Sequence, residues 1–137
     1  MTRARVPTLQ SPLWLWGPVL LVMATIFVAS SIPDVGPLPG GMSDKSGHSI
    51  AYALLAGLLL RALARGRLSG VTWRAACAAV VLTTLYGVSD EWHQSFVPGR
   101  SPDRYDILAD AIGAIAGVAG GWLAGAALRW GILDSSS

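Results

Sequence analysis

Four long apolar runs without a single Asp, Glu, Lys or Arg constrain the fold of this chain more than any other feature. They are residues 6–33, 46–60, 75–89 and 111–128. A helix needs about 20 mostly apolar residues to cross a bilayer, and each run reaches that length when its flanking residues are included. The predicted membrane-spanning helices cover residues 13–31, 46–65, 72–94 and 106–130.

Composition and loop lengths favour a membrane protein over a soluble domain. Only 13% of the residues are charged, whereas soluble domains carry about 25%. The connection at 32–43 is rich in Pro and Gly and cannot be helical, and Pro98 predicts a turn between the third and fourth helices. The predicted fold is therefore all-α, an integral membrane four-helix bundle of up-and-down topology. A single transmembrane domain at 13–130 lies between tails at 1–12 and 131–137.

Local signals indicate where two of the helices begin. Ser43 precedes the second predicted helix and, with Asp44, can cap the free N–H groups of its first turn. Ser101 followed by Pro102 has the pattern of an N-cap and a first helical residue. The fourth helix is therefore predicted to begin with Ser101 as its cap.

The basic residues predict the orientation of the bundle. Of the ten Lys and Arg residues, seven lie at one end of the predicted bundle and three at the other. The seven are Arg3, Arg5, Arg61, Arg65, Arg67, Arg74 and Arg129, and the three are Lys45, Arg100 and Arg104. Cytoplasmic segments of membrane proteins carry the excess of Lys and Arg. Both termini and the loop between the second and third helices are therefore predicted to be cytoplasmic.

An alternative interpretation of the first helix remains open. Arg3 and Arg5 before an apolar run, with Val28-Ala29-Ser30 as a cleavage site, are also typical of a secretory signal peptide. That interpretation would leave three spans. The single cysteine cannot form an intramolecular disulfide and gives no redox information.

Polar residues at helical spacing lie at the extracytoplasmic end of three predicted helices. The three stripes are Asp44, His48 and Tyr52; Tyr86, Asp90 and Gln94; and Asp103, Asp106 and Asp110. Residues three or four apart share a helix face. Only 15 residues separate Arg74 from Asp90, about 22 Å of helix against a hydrocarbon core about 30 Å thick. Asp90 and Glu91 are thus predicted to face the bundle, and the turn at Pro98 is predicted to carry Arg100 back toward them. Such a buried ionisable cluster is a candidate functional site.

Three motifs in this region resemble the VanZ-like family. They are Asp44-Lys45-Ser46-Gly47-His48 followed by Tyr52, the run DEWHQSFVPGR from Asp90 to Arg100, and Asp106 followed by Gly113. The resemblance covers about residues 25–120, and it departs at Asp110, where the family usually has Asn. It implies a small multi-pass protein of the bacterial plasma membrane. The family's founding member is associated with low-level resistance to the glycopeptide teicoplanin.

The first functional hypothesis is a binding site for an anionic head group, either of a phospholipid or of a lipid-linked wall precursor. Through such binding the protein would modulate glycopeptide susceptibility, as the resemblance implies. Basic side chains can meet phosphate oxygens, and arginine can do so with two parallel hydrogen bonds. The candidate ligand-binding residues are Lys45, His48, Asp90, Glu91, Gln94, Arg100 and Asp106. No cofactor is expected, and a net charge of +2 is too small to favour nucleic acid.

Two alternatives compete with this hypothesis. The first is a membrane-embedded hydrolase or transferase acting on a lipid phosphate or ester, with His48, Asp44 and Glu91 as catalytic groups. Its metal-dependent form uses a different set of ligands: His48, Glu91, His93 and Asp106. The second alternative is a buried polar network that only maintains the register of the helices.

A stripe of glycines on the fourth predicted helix indicates close helix packing. Gly113, Gly117, Gly121 and Gly125 recur at steps of four, so they share one face, where a neighbouring backbone can approach. That neighbour is either another helix of the bundle or a second copy of the chain. If the neighbour is a second copy, the chain forms a homo-oligomer through this face. The lipid bilayer is the other expected partner.

Overall fold

The computed structural model describes residues 11–33, 39–41 and 43–130, and these residues form helices and connecting turns without a β-strand. The four long helices are α1 (Pro12–Ser30), α2 (Asp44–Leu63), α3 (Trp73–Gln94) and α4 (Arg104–Arg129). Two single turns of 3-10 helix, Pro39–Gly41 and Leu68–Gly70, lie in the connections. The predicted all-α architecture is confirmed. The terminal residues 1–10 and 131–137, with Arg3 and Arg5, lie outside the described residues.

Three of the four helices, α1, α2 and α4, are long and apolar enough to cross a membrane. The remaining helix, α3, has 22 residues and is about 33 Å long, but Arg74, Asp90 and Glu91 make it less apolar. It packs against the other three helices. Large apolar side chains are exposed on all four helices, among them Leu21, Leu54, Val81, Leu85 and Leu123. This pattern suits a bundle surrounded by lipid.

Each helix begins at a polar side chain that accepts a backbone N–H. Ser43 caps α2 as predicted, with its hydroxyl 3.2 Å from the N–H nitrogen of Ser46. The predicted Ser101 cap of α4 is wrong, because Asp103 takes that position with its carboxylate 2.8 Å from the N–H nitrogen of Tyr105. The N–H of Asp103 itself donates to Glu91 at the end of α3, 2.9 Å away. Because of this contact, the helix begins at Arg104 rather than earlier in the chain.

The glycine stripe of α4 lies against α2 and the loop that follows it. A Cβ added at Gly113 or Gly117 would overlap the backbone of Ser49 or Ala53, and one at Gly125 would overlap the carbonyl oxygen of Leu68. The two helices therefore approach at backbone distance, as glycine faces permit. The sequence left open whether another helix of the bundle or a second copy of the chain packs on this face. In the structure, the neighbour is a helix of the same bundle. The homo-oligomer through this face stays a prediction.

Candidate functional site

Four carboxylates are buried at one end of the bundle, where α2 and α4 begin and α3 ends. We call this region the polar end. The residues Asp90, Glu91, Asp106 and Asp110 each expose 6% of their surface or less. Carboxylates are almost never this buried unless a partner compensates the cost of removing them from water. Their partners therefore define what the region can do.

His48 and Asp110 form a buried pair between α2 and α4. The His48 Nδ1 lies 3.0 Å from Asp110 Oδ1, and Asp110 is completely buried. The other oxygen of Asp110 lies beside Gly87 of α3, where an added Cβ would come within 2.6 Å of it. Glycine at this position leaves room for the carboxylate. Next to the pair, the Ser49 hydroxyl donates to the carbonyl of Ala109 at 2.9 Å.

Lys45 joins α2 to the start of α4. Its Nζ lies 2.7 Å from Asp103 Oδ2 and 2.9 Å from Asp106 Oδ1. Asp103 precedes the first residue of α4. The hydrogen bond from the Lys45 ammonium, and after it the N–H of Tyr105, lower the pKa of Asp103 below its usual value. The predicted ligand-binding residues Lys45 and Asp106 are therefore engaged with each other.

Gln94 holds the two carboxylates of α3 in place. Its Nε2 donates to Asp90 Oδ2 at 3.2 Å and to Glu91 Oε1 at 3.4 Å. Ser30, at the end of α1, donates from its hydroxyl to the same Asp90 oxygen at 2.8 Å. Glu91 also accepts the Asp103 N–H. One carboxylate of α3 thus connects to α1 and the other to α4.

A cavity of about 210 Å³ lies at the polar end among α1, α2 and α3. Its apolar wall contains Ile26, Ala29 and Ala51, and its polar lining consists of Ser30, Asp44, His48, Tyr52, Asp90 and Arg100. Among the residues that the structure describes, four buried side-chain oxygens have no hydrogen-bond partner, and two of them, Asp90 Oδ1 and the Tyr52 hydroxyl, belong to residues that line this cavity. Buried polar atoms nearly always have a partner. The Tyr52 hydroxyl lies close to Asp90 without a well-formed hydrogen bond to it, so a ligand in the cavity could satisfy both groups.

Arg100 lies on the cavity wall. The turn at Pro98 led us to expect that it would contact the carboxylates of α3, but its hydrogen bonds go elsewhere. Its Nε donates to the carbonyl of Ile32 at 3.2 Å, and a terminal nitrogen donates to that of Ala29 at 3.4 Å. The carbonyl of Ala29 also accepts the N–H of Ile32 at 3.2 Å, and the carbonyl of Ile32 lies just beyond the last residue of α1. Arg100 therefore fastens the turn between α3 and α4 onto α1.

The predicted metal ligands are not brought together as one set. His93 lies against α1, where its Nε2 is 3.0 Å from the Ser31 hydroxyl and its ring stacks on Phe27 at 4.4 Å. Glu91 is held by Gln94 and the Asp103 N–H. Within the described chain, Asp44, His48 and Asp106 form a group whose ligand atoms all lie within 4.8 Å of one another. Asp44 thus takes the place that the sequence suggested for Glu91 and His93.

The contribution of α1 was missed by sequence reasoning, which assigned the site to three helices. Ser30 forms a hydrogen bond with Asp90, and Ser31 forms one with His93. Ile26 and Ala29 form one wall of the cavity. The available signal was the pair of serines that ends an otherwise apolar helix. Two polar residues at that depth suggest hydrogen-bond partners on a neighbouring helix.

The fold and this end of the bundle define a helical membrane protein with a buried, acid-rich polar site. The family model described as VanZ/LLP1 matches residues 15–125. The chain belongs to the VanZ-like family, which confirms the resemblance seen in its motifs. No curated protein and no solved structure shows a significant match to the chain.

Proposed function

We propose that this chain is a multi-pass protein of the bacterial plasma membrane, with all four helices spanning and the polar end outside the cell. The excess of arginines at the opposite end supports this orientation. There, Arg61 donates to the carbonyl of Trp14 and Arg129 to that of Ser69, both at 3.1 Å. The buried carboxylates of α3 lie at the polar end, so the lower hydropathy of α3 does not prevent it from spanning.

Reporter fusions test the orientation. A reporter fused after Arg67 should be active only in its cytoplasmic form, and one inserted at Gly36 only in its external form, because the basic loop resists translocation. Fusions of both reporter types at each position supply the controls. The reverse pattern at either position would reject the proposed orientation.

The polar end binds the head group of an anionic amphiphile, a phospholipid or a lipid-linked wall precursor, in the outer leaflet. The observation that carries this proposal is the cavity with its unsatisfied Asp90 Oδ1 and Tyr52 hydroxyl. At about 210 Å³ it is smaller than the roughly 300–1,000 Å³ pockets that enclose whole drug-sized ligands. That volume suits a head group whose apolar chains stay in the bilayer.

The side chains around the cavity divide between the two parts of such a head group. Arg100 and a protonated His48 can donate to phosphate oxygens, because each retains a nitrogen beyond those engaged by Ala29, Ile32 and Asp110. Asp90 Oδ1 can accept from a hydroxyl or an ammonium of the ligand. Binding a wall precursor in this way would account for a role in glycopeptide susceptibility, in line with the founding member's link to teicoplanin.

Native mass spectrometry of the detergent-purified protein tests head-group binding. The wild type should retain anionic lipid, and Arg100→Ala should reduce retention at least about tenfold, because a hydrogen bond to a charged group contributes roughly 1.5–3 kcal/mol. The matched control is Arg129→Ala, which removes an arginine with a similar carbonyl hydrogen bond at the opposite end. Equal retention by the two variants would contradict the proposal.

The His48–Asp110 pair favours a second candidate, a hydrolase or transferase acting on a lipid phosphate or ester. Asp110 engages Nδ1 and leaves Nε2 of a cavity-lining histidine for proton transfer, the arrangement that orients a general base. Purified protein should then release phosphate or fatty acid from a phospholipid or polyprenyl phosphate, and His48→Gln should abolish this turnover. Binding without turnover by the wild type would leave head-group recognition as the function.

A further inference from the structure

The polar end contains more negative than positive charge. Six carboxylates gather there: Asp44, Asp90, Glu91, Asp103, Asp106 and Asp110. Lys45 neutralises at most one charge while bonding two of them, and His48 pairs with a third. Arg100 at the cavity wall and Arg104 at the start of α4 add one positive charge each. Burying a carboxylate without a compensating positive charge is strongly unfavourable. The polar end therefore needs more positive charge than its own side chains supply.

Three side chains at this end are arranged to share a cation. Asp44 and His48 are one helical turn apart in α2 and lie on the same face, and Asp106 approaches them from the first turn of α4. One oxygen from each carboxylate and one nitrogen of the imidazole all lie within 4.8 Å of one another. Asp106 can serve Lys45 and a cation together, because a carboxylate has about four acceptor sites.

The carboxylate behind His48 supports a role as a metal ligand. Asp110 lies 3.0 Å from Nδ1, so it can hold the ring in the tautomer whose Nε2 has a free lone pair. A histidine that binds a metal almost always donates its other N–H to a carboxylate, a carbonyl or water in this way. Gly87 leaves the space in which Asp110 makes this contact.

A separate observation also indicates a ligand at this position. Asp90 is 4% exposed, and its Oδ1 has no partner among the described residues. It lines the same cavity as Asp44 and His48. A cation bound beside those two residues could reach this oxygen through a coordinated water.

We propose that Asp44, His48 and Asp106 bind a divalent transition-metal cation at the edge of the cavity, with Asp110 positioning the imidazole. One imidazole nitrogen and two carboxylate oxygens suit Zn²⁺ or Mn²⁺, and such a set should prefer Zn²⁺. The cation supplies the positive charge that the region lacks. If the head-group proposal also holds, the cation takes over from His48 Nε2 as a partner of the lipid phosphate, among carboxylates that would otherwise repel it.

Calorimetry with Zn²⁺ alone tests this site on detergent-purified protein that has been treated with a chelator and exchanged into metal-free buffer. The wild type should bind one equivalent. Asp44→Asn should weaken binding by more than the roughly 10–100-fold typical of losing a partner behind a ligand, and His48→Ala should do the same. Asp44 is exposed, so its substitution should leave the fold intact even if His48→Ala does not fold.

The matched control is His93→Ala, which removes the other histidine of the polar end, bonded to Ser31 rather than to the acidic group. It should bind Zn²⁺ like the wild type. No stoichiometric binding by the wild type, or equal weakening in Asp44→Asn and His93→Ala, would overturn the proposal. Because no lipid is added, a negative result here leaves lipid retention by the same protein as an independent measurement, and the two proposals fail separately.

Discussion

Replacing Gly117 by alanine is expected to destabilise the protein by about 1–3 kcal/mol, the usual cost of forcing an extra carbon into a packed interior. The added Cβ would overlap the backbone of Ala53 in α2, and backbone cannot rotate away as a side chain can. Gly113→Ala should behave alike against Ser49. In an open helix position the same change would stabilise by roughly 1 kcal/mol, because alanine has the higher helix propensity.

Gly120→Ala is the matched control for this prediction. Gly120 lies in the same helix, and an added Cβ would meet nothing within 4 Å. Thermal unfolding in detergent, followed by circular dichroism, should show a lower melting temperature for Gly117→Ala and an unchanged or higher one for Gly120→Ala. If both variants unfold at the wild-type temperature, α2 and α4 do not approach at backbone distance.

The same variants bear on the predicted homo-oligomer. If a second copy of the chain uses the glycine face of α4, Gly117→Ala should reduce the particle mass measured by light scattering. If the face serves only α2, the mass should stay constant while the melting temperature falls.

Replacing Asp110 by leucine is expected to cost about 1–3 kcal/mol, the penalty for leaving a buried hydrogen-bonding group, here His48 Nδ1, without its partner. Breaking an isolated buried ion pair costs more, roughly 3–5 kcal/mol. The smaller value applies because Asp90 and Asp106 are also buried at the polar end, so removing the Asp110 carboxylate also lowers the negative charge gathered there. Denaturant titration of helicity in detergent measures the difference.

Asp110→Asn is the control that separates the hydrogen bond from the charge. Asparagine keeps a carbonyl oxygen that can accept from His48 Nδ1, and it is the residue that the VanZ-like family usually has at this position. This variant should unfold close to the wild type, while Asp110→Leu unfolds earlier. Equal loss in both variants would mean that His48 requires the negative charge rather than an acceptor.

The helices could be predicted because a bilayer requires long apolar runs and tolerates charges mainly near their ends. The residues that follow Gly70 illustrate this, since the uncharged stretch between Arg74 and Asp90 lies entirely within α3. The clustering of Lys45, His48, Asp90, Glu91, Gln94 and Asp106 at one end was predictable for the same reason. Residues at similar depths in adjacent helices must lie at the same end of a bundle.

The pairings within that cluster could not be predicted in this way. They depend on how each helix is rotated about its axis, and an apolar run of nearly uniform hydrophobicity does not specify that rotation. Arg100 was expected to contact the carboxylates of α3, but it donates a hydrogen bond to the backbone at the end of α1. His93 is hydrogen-bonded to Ser31 and stacks on Phe27. Ser101 was expected to cap α4, but a contact from Asp103 to Glu91 moves the cap by two residues.

The sequence alone thus determined an all-helical membrane protein of the VanZ-like family with its ionisable residues gathered at one end, because hydrophobic length and local motifs act over a single helix. The tertiary structure decided which of those residues meet. Asp44 joins His48 and Asp106, α1 completes the cavity, and Asp90 keeps one oxygen without a partner. These contacts join residues about 60 positions apart, and the glycines of α4 let α2 and α4 approach closely beside the His48–Asp110 contact.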